Sequence, residues 1–143
     1  MAYYAFINSD NKVVEVIPGK DENDLDSLPE GYSSWEEYYE SKREGLTCKR
    51  TSYNTSGNEH LEGGTAFRGN FAEVGGTYDS ENDVFLPSLE GHNGWGYDEN
   101  YLLTPPTPQP EDTDTTIHKW DNDNQQWQEW TWNSNLEIWE ISS

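Results

Sequence analysis

The residues best spaced for chemistry are oxygen donors. Asp79-Ser-Glu-Asn-Asp83 followed by Glu90 puts side-chain oxygens at positions one, three, five and twelve of a calcium loop. Position six is Val84, where such a loop needs glycine for its sharp turn, and no helix is predicted to flank it. A plain polar turn is the simpler reading. His60, His92 and His118 have no mutual spacing that suggests zinc. Cys48 stands alone, with basic neighbours that would lower its pKa but no histidine near it in sequence, and an idle thiol is the default. No nucleophile-elbow glycine pattern surrounds a serine, and the many carboxylates fall in solvated turns. The expectation is a protein that is not an enzyme, with no catalytic residue, no metal and no cofactor.

A second candidate is aromatic. Trp120, Trp127, Trp130, Trp132 and Trp139 crowd the end of the chain, and a row of indoles can stack on a sugar or anchor a partner protein. Trp120/Trp127 and Trp132/Trp139 each bracket six residues that begin with Asp or Asn. The same frame recurs as Tyr78–Phe85 and Ile7–Val14, and the fifth residue is Asn in three copies: Asn11, Asn82 and Asn124. Asp or Asn hydrogen-bonds the backbone two residues on, and Asn tolerates the left-handed conformation. Each copy therefore reads as a hairpin on a type I turn plus a left-handed residue. If Asn124 is left-handed, Trp120, Trp130 and Trp132 share a face; a turn one residue longer puts Trp127 beside Trp120 instead. A one-residue change of register flips the faces, and both alternatives stay open.

A third candidate is a basic island. The chain has 143 residues and a net charge of −20, yet Lys42, Arg43, Lys49, Arg50 and Arg68 fall within residues 42–68 and supply five of its eight cations. Either they pair with surrounding carboxylates or they meet an acidic patch on a neighbouring subunit. Nucleic acid is not an expected partner, because the overall field repels phosphate. No stretch approaches the ~18–20 apolar residues of a membrane span, and no membrane partner is expected. The opening Met1–Ile7 run has no basic flank or cleavage pattern, so secretion is not expected either.

The elements that must position these residues are mostly strands. Apolar residues make up only 31% of the chain, so seven Trp and nine Tyr must supply much of the core. Tyr3–Ile7 and Val13–Ile17 flank a turn and form an opening hairpin; an acidic loop follows over 20–31. One short α-helix is predicted near residues 34–44: Ser34 caps it, Glu37 completes a capping-box spacing and Gly45 stops it. Trp35, Tyr38 and Tyr39 share one face of it, as core. Residues 46–56 read as one strand, Gly57–Gly64 as a loop, and Gly91–Gly96 as a glycine cluster leading into Tyr97–Leu103. Four prolines between 105 and 110 favour an extended strut. The fold class is thus mainly β, with hairpins, meanders and small antiparallel sheets. Residues 1–103 form a β-rich domain, 104–116 a linker and 117–143 a Trp-rich three-stranded meander that needs something to pack on.

Several blocks resemble a family of small virion-associated proteins from tailed phages of marine cyanobacteria and related marine bacteria. They are the run from Met1 to Ile17, Trp35-Glu-Glu-Tyr-Tyr39, Thr47-Cys-Lys-Arg-Thr-Ser-Tyr-Asn-Thr55, Arg68-Gly-Asn-Phe71, Gly76–Pro87 and the Trp120–Trp127 hairpin. Together these blocks extend over roughly two-thirds of the chain. The departure lies between Pro87 and Thr116, where the family continues with a proline-aromatic run and a tryptophan-containing strand. The resemblance implies a structural protein of the virion, made in the host cytoplasm. A capsid decoration or cement protein outside the head is the first expectation, with the major capsid protein, other virion proteins or copies of itself as partners. A tail, baseplate or fibre-attachment protein is the second. A carbohydrate-binding module taking a host surface glycan on its tryptophans is the third.

Overall fold

The computed structural model describes residues 2–142. The chain is mainly β, with 36% of its residues in strands and 4% in one short helix, so sheet pairing rather than helix packing organises its cores. It forms two compact units: Met1–Ser88 with Tyr97–Leu103, and Leu89–Gly96 with Thr104–Ser143.

In the first unit β1 (Ala2–Ile7) is central, flanked antiparallel by β2 (Val13–Gly19) and β3 (Thr47–Thr51). Alternate side chains of a strand point to opposite faces. Ala2, Tyr4 and Phe6 therefore pack with Trp35 and Cys48, while Ala5 and Ile7 pack with Val13, Ala72, Tyr78 and Phe85. Both faces of β1 are covered, which is why its sequence is an unbroken apolar run and not an alternating one.

The helix, α1 (Trp35–Glu40), lays Trp35 and Tyr39 against Tyr4 and is shorter than the predicted 34–44. Ser34 Oγ accepts from Glu37 N at 3.1 Å, as a cap should. The Glu37 carboxylate, however, turns to Ser33, taking its backbone N–H at 3.0 Å, and so leaves the predicted capping box half-made. Ser41 caps the other end, its hydroxyl bonding the Tyr38 carbonyl, and Gly45 serves a later turn at φ 77. The predicted strand 46–56 is likewise two strands: a turn at 52–54 separates β3 from β4 (Thr55–Ser56), which pairs with β5 (Glu59–His60) inside the expected loop. β6 (Thr77–Asp79) and β7 (Val84–Leu86) form the next hairpin. Gly76 precedes it because a Cβ there would lie 2.6 Å from the Leu86 carbonyl oxygen.

The four Asp/Asn frames are all hairpins. In the first, Asn8 Oδ1 accepts from Asp10 N and Lys12 N, and Asn11 is left-handed at φ 62. In the other three the left-handed residue is the sixth of the frame: Asp83, Gln125 and Glu137, at φ 54, 56 and 55. The expectation of a left-handed Asn82 and Asn124 is thus corrected. Pairing of Tyr78 with Phe85, Trp120 with Trp127 and Trp132 with Trp139 leaves room for one more residue in the loop, and the return to the strand falls on it. The Asn side chains instead close the turns, Asn82 on Asp79 at 2.7 Å and Asn124 on Asp121 at 2.8 Å.

β8 (Gly96–Tyr97) and β9 (Leu103–Thr104) pair as a short ribbon. The second unit is built on a meander of β10 (Thr116–Asp121), β11 (Gln126–Asn133) and β12 (Ile138–Ile141). The predicted division of the chain differs from the observed one in two ways. Residues 89–96 belong to the second unit because Trp95 packs on Trp120, ring centroids 5.5 Å apart, and Asn93 N donates to Asn122 Oδ1 at 2.7 Å. Residues 104–115 are tied to the meander rather than set apart as a strut. Trp127 Nε1 donates to the Thr107 carbonyl at 2.8 Å, His118 Nδ1 lies 2.8 Å from Asp112 Oδ1, and Trp132 N donates to the Thr115 carbonyl at 2.8 Å. A lone Trp among glycines and a proline run carry no periodicity from which such contacts can be read.

Candidate functional site

The basic island is engaged within the first unit. Arg43 Nε lies 2.9 Å from Glu15 Oε1 and Arg50 3.3 Å from Glu22. Arg68, with only 13% of its side chain exposed, bridges Glu36 at 2.8 Å and Asp83 at 3.0 Å and donates to the Arg50 carbonyl. Arg50 and Arg68 also stack on Phe67, and Lys42 and Lys49 lie over the rings of Tyr38 and Tyr78. Bonding to the Arg43 guanidinium holds the Glu15 carboxyl below its ordinary range. The three arginines thus have carboxylates of their own.

The acidic stretch 79–83 is spent in the same way. Asp79 Oδ1 accepts from the amides of Glu81 and Asn82, and Asp83 meets both Tyr78 and Arg68. Among the described residues no group of three or more His, Cys, Asp or Glu side chains is disposed to hold a metal ion. Cys48 is 3% exposed; burial, aided by Glu36 and Glu40, pushes its thiol up to about 12, so it is protonated and inert at neutral pH. The basic neighbours in sequence lose to desolvation.

The tryptophans divide between two faces. Trp120 pairs directly with Trp127, so the longer-turn alternative is the one adopted, and their rings meet Trp95 in a three-indole cluster with centroids 5.4–6.1 Å apart. His92 leans on the edge of that cluster, 4.7 Å from Trp95. On the opposite face Ile117, Trp130 and Ile141 form a cross-strand row and Trp132 pairs with Trp139, centroids 5.4 Å apart. Lys119 Nζ sits 4.5 Å above Trp130. The side-chain contacts that segments 89–96 and 104–115 make with Trp120, Trp127 and His118 fall on the first face. The five indoles therefore do not make one stacking platform: two are locked edge-to-face and three lie on the reverse side.

Every described residue of this unit keeps at least part of its surface exposed, and the indole nitrogens of Trp95, Trp120 and Trp130 are enclosed with no hydrogen-bond partner among the described residues. Enclosed polar atoms without partners lower the unit's own stability. Ile141, on the edge strand at one end of the Trp130 row, is 55% exposed. Sequence reasoning missed Trp95, His92 and the Asp112 tie to His118, for which only the lone Trp in the glycine cluster gave a sign. It also missed Asn70, buried at 6% exposure, which donates to the Phe85 and Tyr101 carbonyls and accepts from Gly57 N. Comparison with family models, curated proteins and solved structures finds no match to this chain.

Proposed function

We propose that this chain is a structural protein of a phage particle that docks on another virion protein through the Trp130–Trp132–Trp139 face of its second unit, as a decoration or cement protein outside the head. One observation carries the docking: an apolar face of three indoles and two isoleucines on a three-stranded sheet that has no fully buried residue of its own among those described. Three strands are about the least that stands alone in water, and a contiguous apolar face on so small a unit gains stability when a partner covers it. Aromatic anchors of this kind dominate protein interfaces. The virion setting comes from the sequence blocks between residues 1 and 87. The net charge of −20 favours the outside of a head over the space beside packaged DNA.

The test is imaging of purified particles of the encoding phage, with and without the Trp132→Ala/Trp139→Ala variant. Copies following the head lattice, lost in the variant, are expected. Density at one tail vertex points to the tail, baseplate or fibre reading, and none on the particle overturns the virion reading altogether.

A further inference from the structure

Asn93-Gly94 is the one Asn-Gly dipeptide of the sequence. It fills the two central positions of a turn in the glycine cluster, closed by a 3.2 Å hydrogen bond from Trp95 N to the His92 carbonyl. Gly94 is left-handed at φ 80, and a Cβ there would run into the Gln125 side chain, so the fold itself demands glycine after Asn93. Both residues are exposed. The Asn93 side-chain amide and the Gly94 N–H carry no hydrogen bond among the described residues, whereas Asn70, Asn82 and Asn124 donate theirs to neighbours.

An asparagine carboxamide beside the amide of the next residue is an internal electrophile, which is why asparagine counts among the thermally labile residues. The Gly94 nitrogen gives its proton to solvent base and attacks Asn93 Cγ. The Cγ–Nδ2 bond breaks, and Nδ2 leaves as ammonia after taking a proton from water. A second water opens the five-membered imide. Attack at Cγ yields aspartate; attack at the backbone carbonyl yields isoaspartate, whose main chain runs through Cβ and Cγ. Nothing is oxidised or reduced, and water is the only co-reactant. Glycine favours ring closure because it has no Cβ to crowd the imide and rotates freely. An exposed turn closed by a single 3.2 Å bond opens at little cost, and that opening brings the Gly94 nitrogen onto Cγ.

The position matters because few contacts seat segment 89–96. Asn93 N donates to Asn122 Oδ1 at 2.7 Å, and two residues on, the Trp95 ring meets Trp120 and Trp127 with centroids 5.5 and 6.1 Å apart. Isoaspartate inserts an extra main-chain carbon between these two anchors. Either product adds a carboxylate beside Asn122, which Asp121 and Asp123 flank in sequence. We propose that Asn93 is a site of spontaneous deamidation, and that its conversion loosens Trp95 from the indole cluster of the second unit. The reaction is independent of the Trp130–Trp132–Trp139 face and of the virion reading.

The test is ageing of the full-length protein at pH 6 and pH 8, with and without urea. Peptide mapping that separates Asn, Asp and isoAsp follows the chemistry, and amide hydrogen exchange follows the structure. In the native protein Asn93 should convert at least about tenfold faster than any other asparagine, which is about 1.4 kcal/mol of barrier. Conversion should be faster at pH 8, with isoaspartate among the products. Amides of 89–96 and of β10 and β11 around Trp120 and Trp127 should exchange faster in the aged protein. Asn93→Gln keeps the backbone N–H for Asn122 and closes the imide far more slowly through a six-membered ring, so it should age without that change. An Asn93 that converts in urea but no faster than the other asparagines in the native protein is protected by the fold, which would overturn the proposal. Full conversion with unchanged exchange, or the same loosening in aged Asn93→Gln, would overturn it as well.

Discussion

Asn82 Nδ2 donates a 2.7 Å hydrogen bond to Asp79 Oδ2, closing the β6–β7 hairpin from side chain to side chain. The other carboxylate oxygen of Asp79 accepts from the backbone of Glu81 and Asn82, so one residue satisfies three donors of the turn. Asp121 does the same for Asn124 and Asp123.

Asp79→Ala should therefore destabilise the first unit by about 1 kcal/mol in urea denaturation at neutral pH, the usual worth of such hydrogen bonding. The bond from Asn82 holds the Asp79 carboxyl below its ordinary value of 3.8. A carboxyl whose folded pKa lies below its unfolded one adds stability above the unfolded value and loses it as pH falls through the folded value. The gap between wild type and Asp79→Ala should accordingly shrink below about pH 4, and a gap unchanged at pH 3 contradicts the clasp.

Asn70→Ala should be costlier, about 2–4 kcal/mol, because it strands the Phe85 and Tyr101 carbonyls and the Gly57 amide at a site 6% exposed. Hydrogen exchange at Gly57 should accelerate in step.

The arginines of the island should separate by burial. Arg68→Ala leaves Glu36, Asp83 and a carbonyl facing a vacated site and should cost about 2–3 kcal/mol. Arg43→Ala removes a pair in which both side chains are about 40% exposed, and its thermal midpoint should match wild type at moderate salt. Equal losses in the two variants would contradict this account.

Cys48 should resist a thiol reagent at pH 8 in the native protein and react once the protein is unfolded in urea. Its folded pKa is raised, to about 12, so the stability it contributes is present below the unfolded value near 9 and declines as pH rises above it. Tyr78 works in the same direction, pushed up to about 12 by burial and by its bond to Asp83. Alkaline unfolding beginning above pH 9, followed by circular dichroism, checks both groups.

The two tryptophan faces should respond differently. Trp120→Ala opens the indole cluster with Trp95 and Trp127 and should unfold the second unit, seen as loss of protected amides across β10 and β11. Trp132→Ala/Trp139→Ala trims the reverse face and should leave most of that protection in place while removing attachment to particles.

Much of the fold was legible because its signals are local. The Asp/Asn frames, the apolar run of β1 and the Ser34 cap are each written within a few neighbouring residues. The left-handed positions were misassigned to Asn82 and Asn124 because a preference for a conformation is weaker than the register that strand pairing imposes. The helix stopped at Glu40 although Gly45 looked like its terminator, since Ser41 reached the cap first.

By itself the sequence determined a mainly β chain of hairpins, an aromatic core around an opening strand and an acidic exterior, because side-chain alternation and turn chemistry act over short spans. Only the tertiary structure decided that Trp95 leaves its glycine cluster for Trp120, that the arginines take up carboxylates far along the chain, and that the tryptophans occupy opposite faces. Those outcomes depend on register and on contacts between residues distant in sequence. A shift of one residue between β10 and β11 would have put Trp127 on the face opposite Trp120.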